Sequence, residues 1–262
     1  MEQTSMANAG LAEQFLESFA LPKSTLLGVK VPKKTLTDNV SLVATDKGIV
    51  RDVLKSVEWS HTLKPETANI PVFVDGTHEY QEIAVLTVTV KSRSKTKQLC
   101  RLLHLHIPYP LLLIVKDEKG FALSLADKRV NQSDSSKLTI EHQYDIGWLE
   151  APVSSIQQAF LEDITFSGLS KISLYDFYLD LIGKFNRLEA ATFTGQYSNK
   201  ANDAQATAEQ TNLIVELKAL EADLSSLRNK IKKEVQMNNK VKLNLNAREI
   251  KNKIKKITEQ LD

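Results

Sequence analysis

The sequence predicts a mixed α/β domain followed by a helical tail. Two observations carry this prediction. Helical and strand-like segments alternate through residues 11–188, and hydrophobic residues recur at alternating intervals of four and three from Thr211 onward. The first pattern is typical of one mixed sheet with helices packed on it, and the second of a coiled-coil seam. We therefore expect a mixed α/β domain over 1–192, a linker over 193–210, and a coiled coil or helical hairpin over 211–262.

The first part of the chain contains two helical segments and three strand segments. Leu11–Phe19 predicts an amphipathic helix. The pairs Pro22–Lys23 and Pro32–Lys33 then frame an extended connector, because proline biases its predecessor away from the helical region. Asp46–Leu54 predicts the second helix. Strands are expected at Ser56–Leu63, Ile70–Val74 and Glu82–Val90.

The pattern then continues with a helix, three strands and two more helices. Pro108 and Pro110 separate the first of these helices from an apolar run that predicts a buried strand. The expected helices are Ser94–His104, Ile156–Phe160 and Ser173–Leu188, and the expected strands are Leu111–Val115, Phe121–Leu125 and Leu138–His142.

The tail carries two hydrophobic seams at a and d heptad positions. They consist of Leu213, Leu217, Leu220, Leu224, Leu227 and Ile231, and of Ile250, Ile254, Ile257 and Leu261. A helix with such a seam needs another helix to cover it. We predict that a partner protein or a second copy binds Leu217, Leu220, Leu224, Leu227 and Ile231. The alternative is that the helices pack back onto their own domain.

The tail could form two helices or one. Asn246 and Glu249 fit a capping box that would open a second helix, with Asn238–Leu245 as the connection. One long helix interrupted by a stutter is the alternative.

Charge is distributed unevenly along the chain. The formal net charge is +2, yet residues 228–262 contain eleven Lys and Arg against four Asp and Glu, a local charge of +7. This asymmetry permits binding to DNA or to an acidic protein, and a solvated helix face is the alternative. The candidate nucleic-acid-binding residues are Lys230, Lys232, Lys233, Lys240, Lys242, Lys251, Lys253, Lys255 and Lys256.

The composition favours a soluble cytoplasmic protein. Cys100 is the single cysteine, so an intrachain disulfide is excluded. Residues 1–8 lack the basic and apolar regions of a secretory signal. The apolar run Leu111–Val115 is far too short to span a membrane, so no membrane contact is expected.

The order of helices and strands also resembles that of restriction-type nucleases. Such enzymes hold a divalent metal with an aspartate and a Glu-x-Lys on neighbouring strands. The weak catalytic candidates here are Asp75, Glu82 and Lys91. Glu82 lies nine residues from Lys91, roughly 30 Å along an extended strand. This separation argues against enzyme activity without deciding the question, and a metal-dependent restriction-type nuclease, active or degenerate, remains an alternative.

No metal or cofactor site is predicted. His104 and His106 have no further ligand at supportive spacing, and roles in packing and helix capping are commoner. Cys100 lies within an apolar helical pattern, so it is expected to be a core thiol.

Several segments together resemble the bacterial domain-of-unknown-function family 4391. They are Leu21–Thr25, Val31–Lys33, the Trp59 strand leading into Leu63–Thr67, Glu82–Ile83, Ile107–Leu111 and Gln236–Asn244. The resemblance implies a genomic setting beside DNA methyltransferases and superfamily-two helicases in restriction or anti-phage clusters. It implies no catalytic residues. The expected function is a non-catalytic accessory subunit that binds a helicase, a methyltransferase or a second copy of itself through its C-terminal helices.

Overall fold

A computed structural model describes residues 10–38, 42–130, 138–199 and 203–261. The chain divides into two compact units, Met1–Phe185 and Asn186–Asp262. The first unit contains a six-stranded mixed sheet with helices, and the second contains two long helices in contact with each other. The predicted mixed α/β fold with C-terminal helices is therefore confirmed.

The first unit alternates helices and strands along the chain. Its helices are α1 (Leu11–Phe19), α2 (Lys33–Asp38), α3 (Ala44–Val53), α4 (Pro65–Ala68), α5 (Thr96–His106), α6 (Ser155–Asp163) and the start of α7 (Leu174–Thr194). Its strands are β1 (Leu26–Val31), β2 (Leu54–Leu63), β3 (Phe73–Val74), β4 (Glu79–Tyr80), β5 (Ile83–Val90), β6 (Leu111–Lys116), β7 (Gly120–Val130) and β8 (Leu138–Glu150).

The main sheet has the strand order β1-β2-β5-β6-β7-β8. Strands β5 and β6 are parallel and are joined by α5, whereas the other neighbouring strands are antiparallel. Strand β5 is buried at nearly every position, and so is β6. This central pair therefore provides the apolar layer on which α3 and α5 pack, with Leu99 and Leu103 of α5 fully covered.

The second predicted strand is not part of this sheet. Of Ile70–Val74, only Phe73 and Val74 form a strand, and they pair with β4 in a separate two-stranded sheet. The predicted turn at Asp75 is present, because one oxygen of its carboxylate accepts hydrogen bonds from the backbone N–H groups of Thr77 and His78. The short hairpin thus forms an excursion between β2 and β5.

Strand β1 lies in the segment that was predicted to be an extended connector. Its residues are exposed, apart from a partly buried Val31. Because neither face of the strand is buried, its sequence does not alternate between apolar and polar residues. Strands β7 and β8 are also longer than predicted. Polar residues continue their ladder, as in the pairs Asp127 with His142 and Arg129 with Thr139.

The second unit begins at Asn186 in the last part of α7 and continues through α8 (Ala204–Lys233) and α9 (Met237–Leu261). Helix α8 starts before the predicted Thr211, because the Asp203 carboxylate accepts a hydrogen bond from the backbone of Ala206. The amide of Asn186 donates to the Thr211 hydroxyl at 2.8 Å, and all the groups of this contact are buried. These contacts fix the start of α8.

The two tail helices form a hairpin, but its connection differs from the predicted one. Residues 238–245 belong to α9, and the turn occupies residues 234–236. The Glu234 carboxylate accepts hydrogen bonds from the backbone N–H groups of Val235 and Gln236, which supports this turn. The asparagines are accommodated inside the helix, where the Asn244 amide donates to the carbonyl oxygen of Lys240. The predicted helix start at Asn246 is therefore wrong.

Candidate functional site

The three nuclease candidates do not form a compact group. Glu82 immediately precedes β5 and Lys91 immediately follows it, so the two lie at opposite ends of that strand. The ammonium group of Lys91 donates to the carbonyl oxygen of Arg51 at 2.9 Å. The carboxylate of Asp75 holds its own hairpin turn. Lys91 and Asp75 thus each make local structural contacts, and Glu82 lies at the other end of β5 from Lys91.

A buried polar cluster lies between α5, β7 and β8. The Ser124 hydroxyl donates to the Asp145 carboxylate at 2.6 Å and lies 3.0 Å from Nε2 of His104. His104 and Ser124 are each about 1% exposed, and burial holds the pKa of His104 well below its usual range. The serine lies between the acid and the histidine, unlike the order of a catalytic triad, in which the histidine is central. His104 and Ser124 are thus covered by the packing of α5 on the sheet, whereas the Asp145 side chain is 21% exposed and its carboxylate lies 3.5 Å from the ammonium group of Lys97.

Two further titratable groups are buried near this cluster. Burial raises the pKa of the Cys100 thiol to about 12, so the thiolate is disfavoured and the predicted core role fits its environment. The Lys128 ammonium group donates to the carbonyl oxygens of Ile107 and Tyr109 at 2.7 and 2.6 Å. Burial lowers the pKa of Lys128 to about 7. These contacts anchor the segment between α5 and β6.

The described part of the chain contains no group of three or more His, Cys, Asp or Glu side chains placed to hold a metal ion. His104 is bonded to Ser124, and His106, two residues further along α5, is only partly buried. Across the same residues, no helix is long and apolar enough to cross a membrane.

A cavity of about 360 Å³ opens beside strand β1. It is lined by Ser24, Thr25, Leu26, Leu27, Trp59, Thr62, Lys64, Thr67 and Glu82. The Trp59 ring packs edge-on against Tyr109 at 5.8 Å and donates from its indole N–H to the Thr62 hydroxyl at 2.8 Å. Partial burial raises the pKa of Glu82, and the nearby charge of Lys64 opposes that effect. Such a mixture of aromatic, hydroxyl and charged groups suits binding more than chemistry.

Sequence reasoning did not find this cavity. Its residues come from segments up to 58 positions apart, between Ser24 and Glu82. Segments that carry the family resemblance nevertheless meet there, because Leu21–Thr25, Trp59, Leu63–Thr67 and Glu82 all contribute a lining residue. The signal present in the sequence was that these separate segments all belong to the family pattern; their convergence is visible only in the structure.

The predicted partner-binding seam lies on the inner side of the tail hairpin. Leu217 and Leu224 are buried, at 0% and 6% exposure. Leu220, Leu227 and Ile231 are partly buried. On α9, Ile257 is buried and Ile250 and Ile254 are partly buried, with Leu243 and Ala247 extending the same heptad spacing toward the turn.

The outer surface of the hairpin is basic and carries exposed apolar side chains near the turn. The candidate lysines on α8 and α9 are solvent-exposed, except for a partly buried Lys240. The exposed fractions of Val235, Met237, Val241 and Leu245 are 93%, 74%, 52% and 55%. Apolar groups at such exposure commonly mark an interaction surface when they are clustered.

The fold and these surfaces define a mixed α/β protein with a basic helical hairpin. The family model described as "Domain of unknown function (DUF4391)" matches residues 19–254. The chain therefore belongs to this family, as the sequence resemblance predicted. No curated protein and no solved structure matches the chain.

Proposed function

We propose that this protein is a non-catalytic accessory subunit of a bacterial DNA-modification or anti-phage defence assembly, and that it associates through its C-terminal helices. The observation that supports this role best is the helical hairpin with exposed apolar side chains at its turn, where Val235 and Met237 are 93% and 74% exposed. Exposed large apolar groups that are clustered commonly mark protein-binding surfaces. The hairpin is thus suited to contact another protein.

The proposed partners of the protein are inferred from the family resemblance. Relatives of this kind tend to be encoded beside DNA methyltransferases and helicases, so these enzymes are the proposed partners. The non-catalytic part of the proposal is supported by the separation of Glu82 and Lys91 at opposite ends of β5. It is also supported by the closure of the His104–Ser124 cluster to solvent.

Co-purification tests this role. The full-length protein is expressed together with each proposed partner, a DNA methyltransferase and a helicase, and the partner recovered with it is quantified. We expect the double variant Leu220→Glu, Leu227→Glu to lose the partner, because charges in the seam separate α8 from α9. Ala219→Glu with Ser226→Glu places the same two charges on exposed positions of α8 and serves as the matched control. Equal recovery with the double variant would contradict the proposal.

A second candidate function is nucleic-acid binding by the tail. It is favoured by the exposure of the lysines on both helices, including Lys232, Lys242 and Lys253. Contacts to phosphates predict weak sequence preference and an affinity that falls steeply with salt, with a slope of roughly −0.9 per neutralised phosphate on duplex DNA. Fluorescence anisotropy with a labelled duplex at several salt concentrations measures both properties. Failure to bind DNA or RNA at low salt would remove this function.

A further inference from the structure

The exposed apolar side chains at the start of α9 lie along one line of the helix. Met237, Val241 and Leu245 are spaced by four residues, so they lie on the same side and extend over about 12 Å of helix axis. We call these three residues the tip row. Leu243 and Ala247, which are partly and fully buried, belong to the opposite, inward-facing seam. The tip row is thus a second apolar line on the same helix, directed to solvent.

The sequence on both sides of the hairpin turn is rich in cationic residues. Residues 228–245 contain six Lys and Arg, namely Arg228, Lys230, Lys232, Lys233, Lys240 and Lys242, and a single acidic residue, Glu234. Lys240 and Lys242 directly flank Val241 along the helix. The Glu234 carboxylate is engaged with the backbone of the turn. The end of the hairpin therefore combines an apolar line with a local charge of +5.

We propose that the tip row is a docking site for an acidic amphipathic helix of a partner protein. The row would pack against one apolar stripe of that helix, and the lysines would face its acidic flanks. This inference rests on the proposed function for the existence of a protein partner, and it adds the place of contact and the chemistry of the bound segment.

Other occupants fit these observations less well. A nucleic-acid backbone is complementary to the lysines but leaves Met237, Val241 and Leu245 exposed to water. A second copy of the same tip carries the same positive charge and is repelled. A lipid surface requires a broad apolar face on the helix, whereas a single line spaced by four residues has the width of a helix-packing ridge. An acidic helix satisfies both the apolar line and the charge.

A designed peptide tests the docking chemistry on the full-length protein. The probe is a fluorescein-labelled helix of three repeats of Leu-Glu-Glu-Ala-Leu-Glu-Ala, and fluorescence anisotropy gives its Kd. The comparison peptide carries lysine in place of each glutamate. We expect binding of the acidic peptide only, with an affinity that falls as salt is added.

Three variants separate the contributions of the apolar row and of charge. Val241→Gln with Leu245→Gln removes most of the tip row while keeping every charge, and is expected to raise the Kd at least tenfold. Lys240→Gln with Lys242→Gln is expected to raise the Kd and to flatten its salt dependence. Val215→Gln alters an exposed apolar position on α8 outside the tip and should leave the Kd unchanged. Circular dichroism checks that the helical content of each variant is retained.

Several results would overturn the inference. Equal binding of both peptides would do so, and so would an unchanged Kd in the Val241 and Leu245 variant. The inference would also fail if the wild-type protein oligomerised or bound anionic vesicles and this variant abolished that behaviour. Displacement of the acidic peptide by duplex DNA, with no effect of the apolar substitutions, would assign the surface to nucleic acid instead.

The two proposals can fail separately. If the tip variant still recovers a partner that the Leu220 and Leu227 variant loses, the accessory role stands and the tip docking site is wrong. If the peptide binds as expected but neither the methyltransferase nor the helicase is recovered with the wild-type protein, the proposed assembly is wrong and the docking chemistry stands.

Discussion

The hydroxyl group of Tyr178 donates a hydrogen bond of 2.8 Å to the carbonyl oxygen of Leu111. The hydroxyl oxygen of Tyr178 in turn accepts a hydrogen bond of 3.0 Å from the backbone N–H of Ala126. The ladder between β6 and β7 is regular as far as the pair Leu113 and Ser124. The Tyr178 hydroxyl of α7 thus bridges the next pair in this register, Leu111 and Ala126, whose backbone groups would otherwise bond to each other directly.

Removal of this hydroxyl should destabilise the α/β unit. Tyr178 is fully buried, so water cannot replace the lost group. We expect Tyr178→Phe to lower the free energy of unfolding by about 1–3 kcal/mol, the cost of leaving buried backbone groups unsatisfied. Urea unfolding followed by circular dichroism measures the change. Tyr109→Phe removes the hydroxyl of a ring that is 36% exposed and is the control. Equal stability of the two variants would refute the bridging role.

The ion pair of Arg93 with Asp117 should contribute to stability above acidic pH. Two parallel hydrogen bonds of 2.6 and 3.0 Å hold the Asp117 carboxylate and lower its pKa to about 2. The unfolded value is about 3.9, so the contribution is complete above that pH and is lost as the pH falls through about 2. We expect Asp117→Asn to cost about 1 kcal/mol at pH 7, because solvent screens this partly exposed pair.

The pH dependence is the sharper test of that pair. Unfolding at pH 7 and at pH 2.5 should show a difference between wild type and Asp117→Asn that shrinks at the lower pH. Asp52→Asn removes the carboxylate of the fully exposed pair with Arg51 and should have no measurable effect at either pH. A constant difference for Asp117→Asn would contradict the assignment to charge.

Lys128 should make the stability of the protein rise with pH above neutrality. Burial lowers its pKa to about 7, whereas the unfolded value is about 10.4. Between these values the unfolded chain binds more protons, so the free energy of unfolding increases with pH. We expect the wild type to gain about 2 kcal/mol between pH 7 and pH 9 relative to Lys128→Met. Parallel pH profiles of the two proteins would show that the ammonium group stays charged.

Cys100 should react with thiol reagents only after the protein opens. The side chain is 3% exposed, and burial raises its pKa to about 12, so both access and thiolate formation are disfavoured. Labelling with a disulfide reagent at pH 8 should be absent on the native protein and complete in guanidinium chloride. Rapid stoichiometric labelling of the native protein would show that α5 separates from the sheet more easily than its packing indicates.

The helices and strands that could be predicted are those whose burial requires a recognisable pattern of apolar residues in the sequence. Strands β5 and β6 consist almost entirely of Val, Leu, Ile, Ala and Thr, because both of their faces are covered. Strand β1 was missed since its exposed residues give no alternation. The start of α9 was misplaced because Asn246 and Glu249 fit a capping box, whereas residues 237–245 are already helical and α9 contacts α8, despite the weak helix propensity of their asparagines.

The candidate surfaces were predictable to different degrees. The heptad spacing indicated the helical association of the tail, and the count of Lys and Arg indicated its basic character. In the structure the seam lies between α8 and α9. The tip row could not be predicted from the sequence, because the exposure of its side chains depends on which side of α9 faces α8. The cavity beside β1 depends on contacts between distant segments, such as Trp59 with Tyr109, which no local pattern specifies.

The position of Gly28 affects whether the exposed edge strand β1 can pair with a strand of another molecule. Strand β1 is an edge strand, and Leu26, Leu27 and Val29 are at least half exposed there. Gly28 adopts a left-handed φ of 63°, and the pairing with β2 shifts between Leu26 and Val29. Such a bulge prevents a flat apolar edge from recruiting further strands. We therefore expect the bulge at Gly28 to make β1 a poorer template for added strands than a flat apolar edge would be.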